Sequence, residues 1–416
     1  ICNARCEVAC SRGKVDEPVS IRSLKRYVTD TMMTRERVTP QKAERLYDEK
    51  IAIIGAGPCG LTAAQDLTLA GYEVTVFEAL PVAGGMLRVG VPEYRLPVDI
   101  IEREVADIID LGVELRLNTP VENLNDLFGD GYKSVLISVG AHEGVRMDLP
   151  GNDLQGVHIN TDFLRDVRLW EYDKEALLAA GKSDPAALVH GKRVVVIGGG
   201  DVAVDVARSS MRLGATSVDM AVRGSSGRMP ASDHEIQGAR EEGVEMHVGL
   251  NFLRIIDDGQ GNVAGLEVED VTLFETNDEG RSVAVIKEDS EHIIPADVII
   301  FSVGQKAGLA FVPDDAGVKL TAWGEVDVTS HSTYVTNRPG VFAAGDAVTG
   351  TAFVIDAVAS GHKVASAMER YLRGEEMEVV EPEHPVASLT QAELDARVLK
   401  GELVPTPRVE YSTLSV

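Results

Sequence analysis

Ile51-Ala52-Ile53-Ile54-Gly55-Ala56-Gly57-Pro58-Cys59-Gly60 is the stretch on which the fold of this chain turns. Four apolar residues make a strand buried on both faces. The glycines after them turn tightly into a helix read over Leu61–Ala70, which Gly71 stops. The free N–H groups and positive end of a helix placed this way suit a pyrophosphate. A second strand, Glu73–Glu78, then delivers an acid 23 residues after Gly55. That is close to the ~20 at which a carboxylate accepts hydrogen bonds from an adenosine ribose.

The unit recurs. Arg193–Ile197 reads as a strand, Gly198-Gly199-Gly200-Asp201-Val202-Ala203 as the turn, Val202–Leu213 as the helix and Ser217–Arg223 as the next strand. This second strand ends in Val222-Arg223-Gly224-Ser225-Ser226, with no carboxylate for the ribose. Arg223 meets an adenosine 2′-phosphate, stacks on adenine, or is a solvated surface charge. Two such turns in one chain imply one flavin and one nicotinamide nucleotide.

At 416 residues, 44% hydrophobic and 25% charged, the chain is long enough for two or three domains with their own cores. No apolar run approaches the ~20 residues of a membrane helix. A net charge of -26 argues against nucleic acid, whose phosphates require clustered Lys and Arg. Cys2, Cys6 and Cys10 crowd the first ten residues, with Cys59 the only other thiol. This is no disulfide framework, and free thiols of this kind are expected in the cytoplasm. The chain opens at Ile1 inside the Cys motif, as a fragment of a longer polypeptide would.

Elsewhere, Ile21, Leu24, Tyr27 and Val28 repeat at helical spacing, and residues 31–49 read as a polar strap. Residues 171–191 are polar. Val263–Val271 and Val283–Lys287 read as an antiparallel hairpin turning through Asn277-Asp278-Glu279-Gly280, followed by a strand at Val298–Val303. Gly340-Val341-Phe342-Ala343-Ala344-Gly345-Asp346 is a strand running into an acidic turn, and Ala352–Leu372 is a closing helix. The tail from Arg373, with Pro382, Pro385, Pro405 and Pro407, reads as extended or supported by a partner.

These units, with Gly84-Gly85-Met86-Leu87-Arg88-Val89-Gly90-Val91-Pro92-Glu93-Tyr94-Arg95-Leu96-Pro97, Val139-Gly140-Ala141, Arg228-Met229-Pro230-Ala231 and Gly345-Asp346, resemble a known family. It comprises the small subunit of glutamate synthase and related FAD-dependent NAD(P)H oxidoreductases of the pyridine nucleotide-disulfide oxidoreductase superfamily. Many are electron-input subunits of larger redox complexes. The resemblance implies an α/β fold of two Rossmann-like doubly wound nucleotide-binding domains, the nicotinamide domain inserted in the FAD domain, behind a small helical Cys-rich prefix. The divisions expected are prefix and strap 1–48, FAD domain 49–156 and 308–372, NAD(P) domain 157–307, and tail 373–416.

The resemblance places the FAD adenosine and pyrophosphate on Gly55, Gly57, Pro58, Gly60, Glu78 and Ala79, and brings Gly85, Met86 and Leu87 to the flavin. Arg95, Val121, Ala141, Gly345, Asp346, Ala352, Phe353 and Val354 complete the expected FAD contacts. Asp346 also reads as a helix N-cap. Gly198, Gly200, Asp201, Val202, Ala203 and Arg223 would hold the nicotinamide nucleotide. Hydride transfer between stacked cofactors requires no catalytic acid or base, so no catalytic side chain is expected. The nine His, among them His142, His234 and His362, read as surface or structural. Met229-Pro230 and the helix Ser232–Glu242 read as core and hinge.

No thiol follows Glu78 to pair with Cys59, so electrons leave the flavin by another route. Cys2-x3-Cys6-x3-Cys10 offers one, since thiolates are the preferred ligands of iron-sulfur clusters. The family's motif has a further Cys four positions ahead of Cys2, upstream of Ile1. A cluster, a zinc site and three unmetallated thiols are the readings open. Gly224 and Ser226 stand where NADPH-using members carry arginines, which favours NAD(H) over NADP(H). The function expected is a diaphorase-type subunit that exchanges hydride between NAD(H) and FAD and passes electrons through iron-sulfur centres to a larger redox-enzyme subunit. The alternatives are the glutamate synthase small subunit proper, a self-contained reductase, and a non-catalytic nucleotide-binding scaffold. Intact Gly198, Gly200 and Ala203 speak against the last.

Overall fold

The structure, a computed structural model, describes residues 2–223, 229–276, 282–377 and 389–408. Its prefix carries α1 (Arg5–Val8) and α2 (Ile21–Met33), the latter with no buried residue. A strap without regular structure follows, with Tyr47 stacked on Tyr72 at 4.7 Å between ring centroids.

The first domain runs β1 (Lys50–Ile54), α3 (Pro58–Leu69), β2 (Glu73–Phe77), α4 (Met86–Val89), α5 (Val98–Asp110), β3 (Glu114–Arg116), α6 (Leu124–Gly129) and β4 (Tyr132–Ile137). α3 begins ahead of the expected Leu61 because Pro58 has a helical φ and, at the first position, needs no N–H partner. The chain leaves through β5 (Glu143–Gly144) into β6 (Val157–Ile159), α7 (Asn160–Tyr172), α8 (Lys174–Ala179), α9 (Ala186–Val189), β7 (Arg193–Ile197), α10 (Asp201–Arg212), β8 (Ser217–Val222), α11 (Asp233–Glu241) and β9 (Glu245–Val248). An antiparallel sheet of β10 (Leu250–Asp257), β11 (Val263–Thr276), β12 (Ser282–Ile286) and β13 (His292–Pro295) precedes β14 (Val298–Phe301). β15 (Gln305–Lys306) pairs back onto β5, and β16 (Val341–Ala343), α12 (Asp346–Thr349), α13 (Val354–Leu372) and α14 (Gln391–Leu399) follow.

The order β16-β4-β1-β2-β3 makes the first sheet and β6-β14-β7-β8-β9 the second, every neighbouring pair parallel. β16 joins a sheet whose other strands end at Ile137, so the second sheet lies on an insertion in the first domain. In β7, Val194 and Val196 join one core with Ala203 and Val206 of α10. Val195 and Ile197 join another with Leu266 and Phe301. Burial on both faces is why the strand reads as an unbroken apolar run.

Three expectations change. The hairpin is longer than read and is flanked by β10 and β13, while its turn lies outside the described residues. Residues 171–191 hold α8 and α9, with the Asp173 carboxylate accepting from Ala176 N at 2.9 Å. The tail read as extended contains α14, started by a reciprocal Thr390–Glu393 capping box. Pro382 and Pro385 lie outside the described residues. Among the described residues no helix is long and apolar enough to cross a membrane.

Candidate functional site

Gly55 turns the chain at φ 104°, and a Cβ there would stand 2.6 Å from the Ser138 carbonyl oxygen at the end of β4. Gly198 repeats this after β7, its Cβ falling 2.2 Å from the Ser302 carbonyl oxygen. Both turns therefore have the same physical origin, a backbone crossing against the neighbouring strand's end. Gly60 serves packing rather than contact, since a Cβ would meet Gly55 O at 2.1 Å. Gly57 is the N-cap of α3 and Gly200 that of α10, neither with a side-chain cap, which leaves first-turn N–H groups to a ligand.

Glu78 is buried, and its carboxylate accepts from Ala56 N at 2.8 Å and Leu80 N at 2.9 Å. Burial pushes its pKa up, against the N–H groups of Leu80 and Ala56 that favour the charge. Gly85 lies over the first turn at φ 55°, where a Cβ would come 2.7 Å from Gly57 Cα. The two glycines touch backbone to backbone. From the far side, Gly345 delivers Asp346, whose carboxyl accepts from Ala352 N and is pushed up to about 6 by burial.

Between these elements is one cavity of about 560 Å³. Gly55, Gly57, Pro58, Glu78, Ala79, Gly85, Met86, Leu87, Val121, Gly345, Asp346, Ala352, Phe353 and Val354 line it, and so does Val202 at the start of α10. Ala141 is buried off the cavity. Arg95 is not in the wall either. Its guanidinium is taken by Asp205 and Glu235 of the second domain, across the boundary between the two sheets.

Sequence reasoning missed part of the wall. His142, read as surface or structural, lines the cavity beside Arg165 and Gln305. Arg165 donates to the His142 carbonyl at 3.0 Å, and burial and then the Arg165 charge hold the imidazole down at about 4, so it is neutral. Arg165 Nε and Gln305 Nε2 are buried without partners. No local pattern marks any of these, because each reaches the cavity through contacts far apart in sequence.

Around the second turn, Ala203 is fully buried, and Asp201 accepts from Ser232 N at 2.9 Å, which fastens α10 to the start of α11. A Cβ on Gly200 would meet nothing within 4 Å. Ala231 N bonds Gly199 O at 3.0 Å, and Met229 packs on the adjoining core, the core role read for that stretch. Arg223 is exposed at the end of β8, without an ion pair among the described residues. Gly224, Ser226 and Arg228 lie outside them.

Cys2 and Cys6 are exposed and Cys10 half-buried. Among the described residues, no group of three or more His, Cys, Asp or Glu converges as a metal site. The surroundings nonetheless suit thiolates: Val19, Arg12 and Gly13 N–H groups point at the Cys10 sulfur and lower its pKa, and Ala4 N lies 3.4 Å from Cys2 Sγ. The prefix is held at both ends. Arg5 forks onto Asp356 of α13 at 2.6 and 2.8 Å, with its guanidinium 5.3 Å from the ring centroid of Phe353. The C-terminal segment grips the other side through Gln391 to Lys14 O at 3.1 Å, Arg12 to Val404 O at 3.0 Å, Thr406 N to Asp16 at 2.7 Å, and Arg408 to Glu7 at 2.8 Å.

Residues 49–361 match the family described as pyridine nucleotide-disulphide oxidoreductase. The chain is 38% identical over 398 residues to the NADP(+)-dependent formate dehydrogenase subunit beta of Moorella thermoacetica, covering 90% of this chain and 54% of that protein. It is 34% identical over 374 residues to the glutamate synthase [NADPH] small chain of Escherichia coli, covering 88% and 78%. It is 31% identical over 443 residues to the NADPH-Fe(3+) oxidoreductase subunit beta of Geobacter sulfurreducens, covering 97% and 62%. The chain thus spans less than two thirds of the first and third relatives. Among solved structures, Mycobacterium tuberculosis FprA in complex with NADPH has a TM-score of 0.65 at 17% identity over 79% of this chain and 85% of that one. Thioredoxin reductase of T. acidophilum has 0.55 at 22% over 79% and 99%. Both likenesses are of fold.

Proposed function

Since the chain belongs to the pyridine nucleotide-disulphide oxidoreductase family, we propose that it is the diaphorase-type subunit of a larger redox enzyme, exchanging hydride between NADPH and FAD and passing single electrons to a partner through an iron-sulfur cluster on its prefix. The observation that carries this reading is the Arg5–Asp356 fork, which docks the Cys-bearing segment on the helix that closes the main cavity.

The cavity residues fit FAD. Gly57 and Gly85 leave room for close backbone approach, α3 offers unfilled N–H groups, and Glu78 has lone pairs left for a ribose. Asp346, with Gly345, would accept from the flavin side chain, and the start of α13 at Ala352, Phe353 and Val354 would lie under the ring's carbonyl edge. Bound FAD joins a two-electron donor to one-electron acceptors.

Gly198, Gly200, Val202 and Arg223 would hold the nicotinamide nucleotide. The three relatives above are all named for NADP(H), against the NADH preference read from Gly224 and Ser226, and exposed Arg223 suits a 2′-phosphate. Among the described residues no second thiol stands beside Cys59 to form a redox pair. Burial pushes the Cys59 thiol up to about 12, and the four cysteines of the described residues are free. Electrons then leave through Cys2, Cys6 and Cys10, completed by a fourth ligand upstream of Ile1, in a reducing compartment such as the cytoplasm. The partner would be a larger redox subunit with its own iron-sulfur clusters.

Anaerobic mixing with NADPH and, separately, with NADH tests the reading. Bleaching of a heat-releasable FAD is expected. A colourless protein that FAD does not reconstitute would overturn it, and FAD that neither nucleotide reduces would favour the scaffold instead.

A further inference from the structure

The loop between α4 and α5 crosses to the second domain and ends there in buried charge. Arg95 Nη1 lies 2.7 and 2.6 Å from the two oxygens of Asp205 on α10, and Nη2 lies 2.7 Å from Glu235 on α11. The three side chains are 14%, 6% and 7% exposed. Glu235 also accepts from Arg208 at 3.1 Å, and the Tyr94 ring sits against the guanidinium groups of Arg208 and Arg212 at 4.7 and 3.9 Å. One arginine of the first domain thus holds the first two turns of the helix that starts at the second glycine turn. That helix also reaches the main cavity, through Val202 and Asp205.

Resting on the function proposed above, we propose that Arg95 is a positioning residue: its fork onto Asp205 and Glu235 fixes α10, and with it the nicotinamide turn, at the distance and angle from the flavin cavity at which hydride transfer occurs. The chemistry is that of the two nucleotides, the nicotinamide oxidised and the flavin reduced by one hydride. Arg95 touches neither. A shift of about 1 Å between reacting groups is enough to slow a transfer of this kind by about a hundredfold. A guanidinium forked onto carboxylates of two helices restrains such shifts better than a flexible ammonium. Asp201, bonded to Ser232 N, ties α11 to the same unit, so both partners of Arg95 move together.

The test compares wild type with Arg95→Lys, Arg95→Met, and the triple variant Arg95→Met/Asp205→Asn/Glu235→Gln. The triple variant removes all three charges together, and Arg208, which loses the Glu235 charge, keeps Glu242 at 2.7 Å. FAD content, NADP+ affinity by titration, flavin reduction by stopped flow, the long-wavelength absorbance of nicotinamide stacked on flavin, and small-angle scattering are measured on each. In the triple variant, FAD content and NADP+ affinity should stay within twofold. Flavin reduction should fall at least tenfold, the stacking absorbance should be lost, and scattering should show a broader distribution of sizes. Arg95→Lys, with one donor centre for two carboxylates, should recover only part of the rate. A folded triple variant reduced within twofold of wild type, with its absorbance intact, would overturn the role of Arg95 alone. A wild-type flavoprotein that neither nucleotide reduces would overturn the reading of the two turns, and this role with it.

Discussion

Arg5 and Asp356, 351 residues apart in the chain, share a two-pronged ion pair that sets the Cys prefix against the first turn of α13. Their side chains are 58% and 35% exposed, so the pair contributes ~1 kcal/mol or less to stability. Arg5→Leu should leave Tm within a degree or two and NADPH-dependent dye reduction unchanged. Protease cutting after Arg12 and Lys14 should speed up, and electron delivery to the natural partner should slow severalfold. Equal rates of cutting in both proteins would show that the fork does not anchor the prefix.

Glu78→Ala removes the acceptor of two buried N–H groups and the proposed ribose ligand together. Unpaired buried donors cost ~1–3 kcal/mol each. That cost should lower Tm, while loss of the charge-assisted bonds to the ribose should lower FAD affinity by ten- to a hundredfold, with Glu78→Gln between it and wild type. Flavin titration of the apoprotein measures the affinities.

Two glycines should respond in opposite ways. Gly85→Ala drives a Cβ into Gly57 Cα at positive φ, so FAD content should collapse. Gly200→Ala meets open space in the protein, so Tm and FAD content should hold while NADPH affinity falls, because the methyl stands where a pyrophosphate would. Thermal melts and nucleotide titrations separate the two cases.

His142 gives a stability effect with a definite sign. Its folded pKa, about 4, lies below its ordinary 6.5, so the unfolded chain binds the extra proton in the window between them. Stability from this group is complete above pH 6.5 and is lost as pH falls toward 4, by at most about 3 kcal/mol. His142→Gln should flatten the pH dependence of unfolding in urea across that window. A slope identical to wild type would mean that the imidazole is solvated.

Arg223→Ala should lower NADPH efficiency about tenfold or more, leave NADH nearly untouched, and so erase any preference, as expected for the loss of one charge-assisted contact worth ~1.5–3 kcal/mol. The ratio of rate over affinity for the two nucleotides measures it. Strong discrimination surviving in the variant would place recognition within residues 224–228.

What the sequence disclosed was local. Gly55, Gly57 and Glu78 lie within one strand-turn-helix-strand unit, where spacing alone brings them together, and the same holds for Gly198 and Gly200. Arg95 was misassigned because its partners lie 110 and 140 residues away, and no nearby pattern distinguishes a guanidinium that binds a cofactor from one that clamps a domain. His142 and Gln305 reach the cavity wall only when the inserted domain returns the chain. α14 did have a signal, the Thr390-x-x-Glu393 box, which the surrounding prolines obscured.

The grip of residues 391–408 on Lys14, Asp16 and Glu7 also sets an order of maturation. Residues 391–408 are the last described residues to leave the ribosome, whereas the first glycine turn is complete at Gly60 and the second at Ala203. The thiol-bearing segment gains these restraints only once residues 391–408 have been made. A chain ended after α13 keeps every strand of both parallel sheets and loses these contacts to the thiol-bearing segment. Restraint of the thiol-bearing segment is thus tied to a stretch of chain translated long after it.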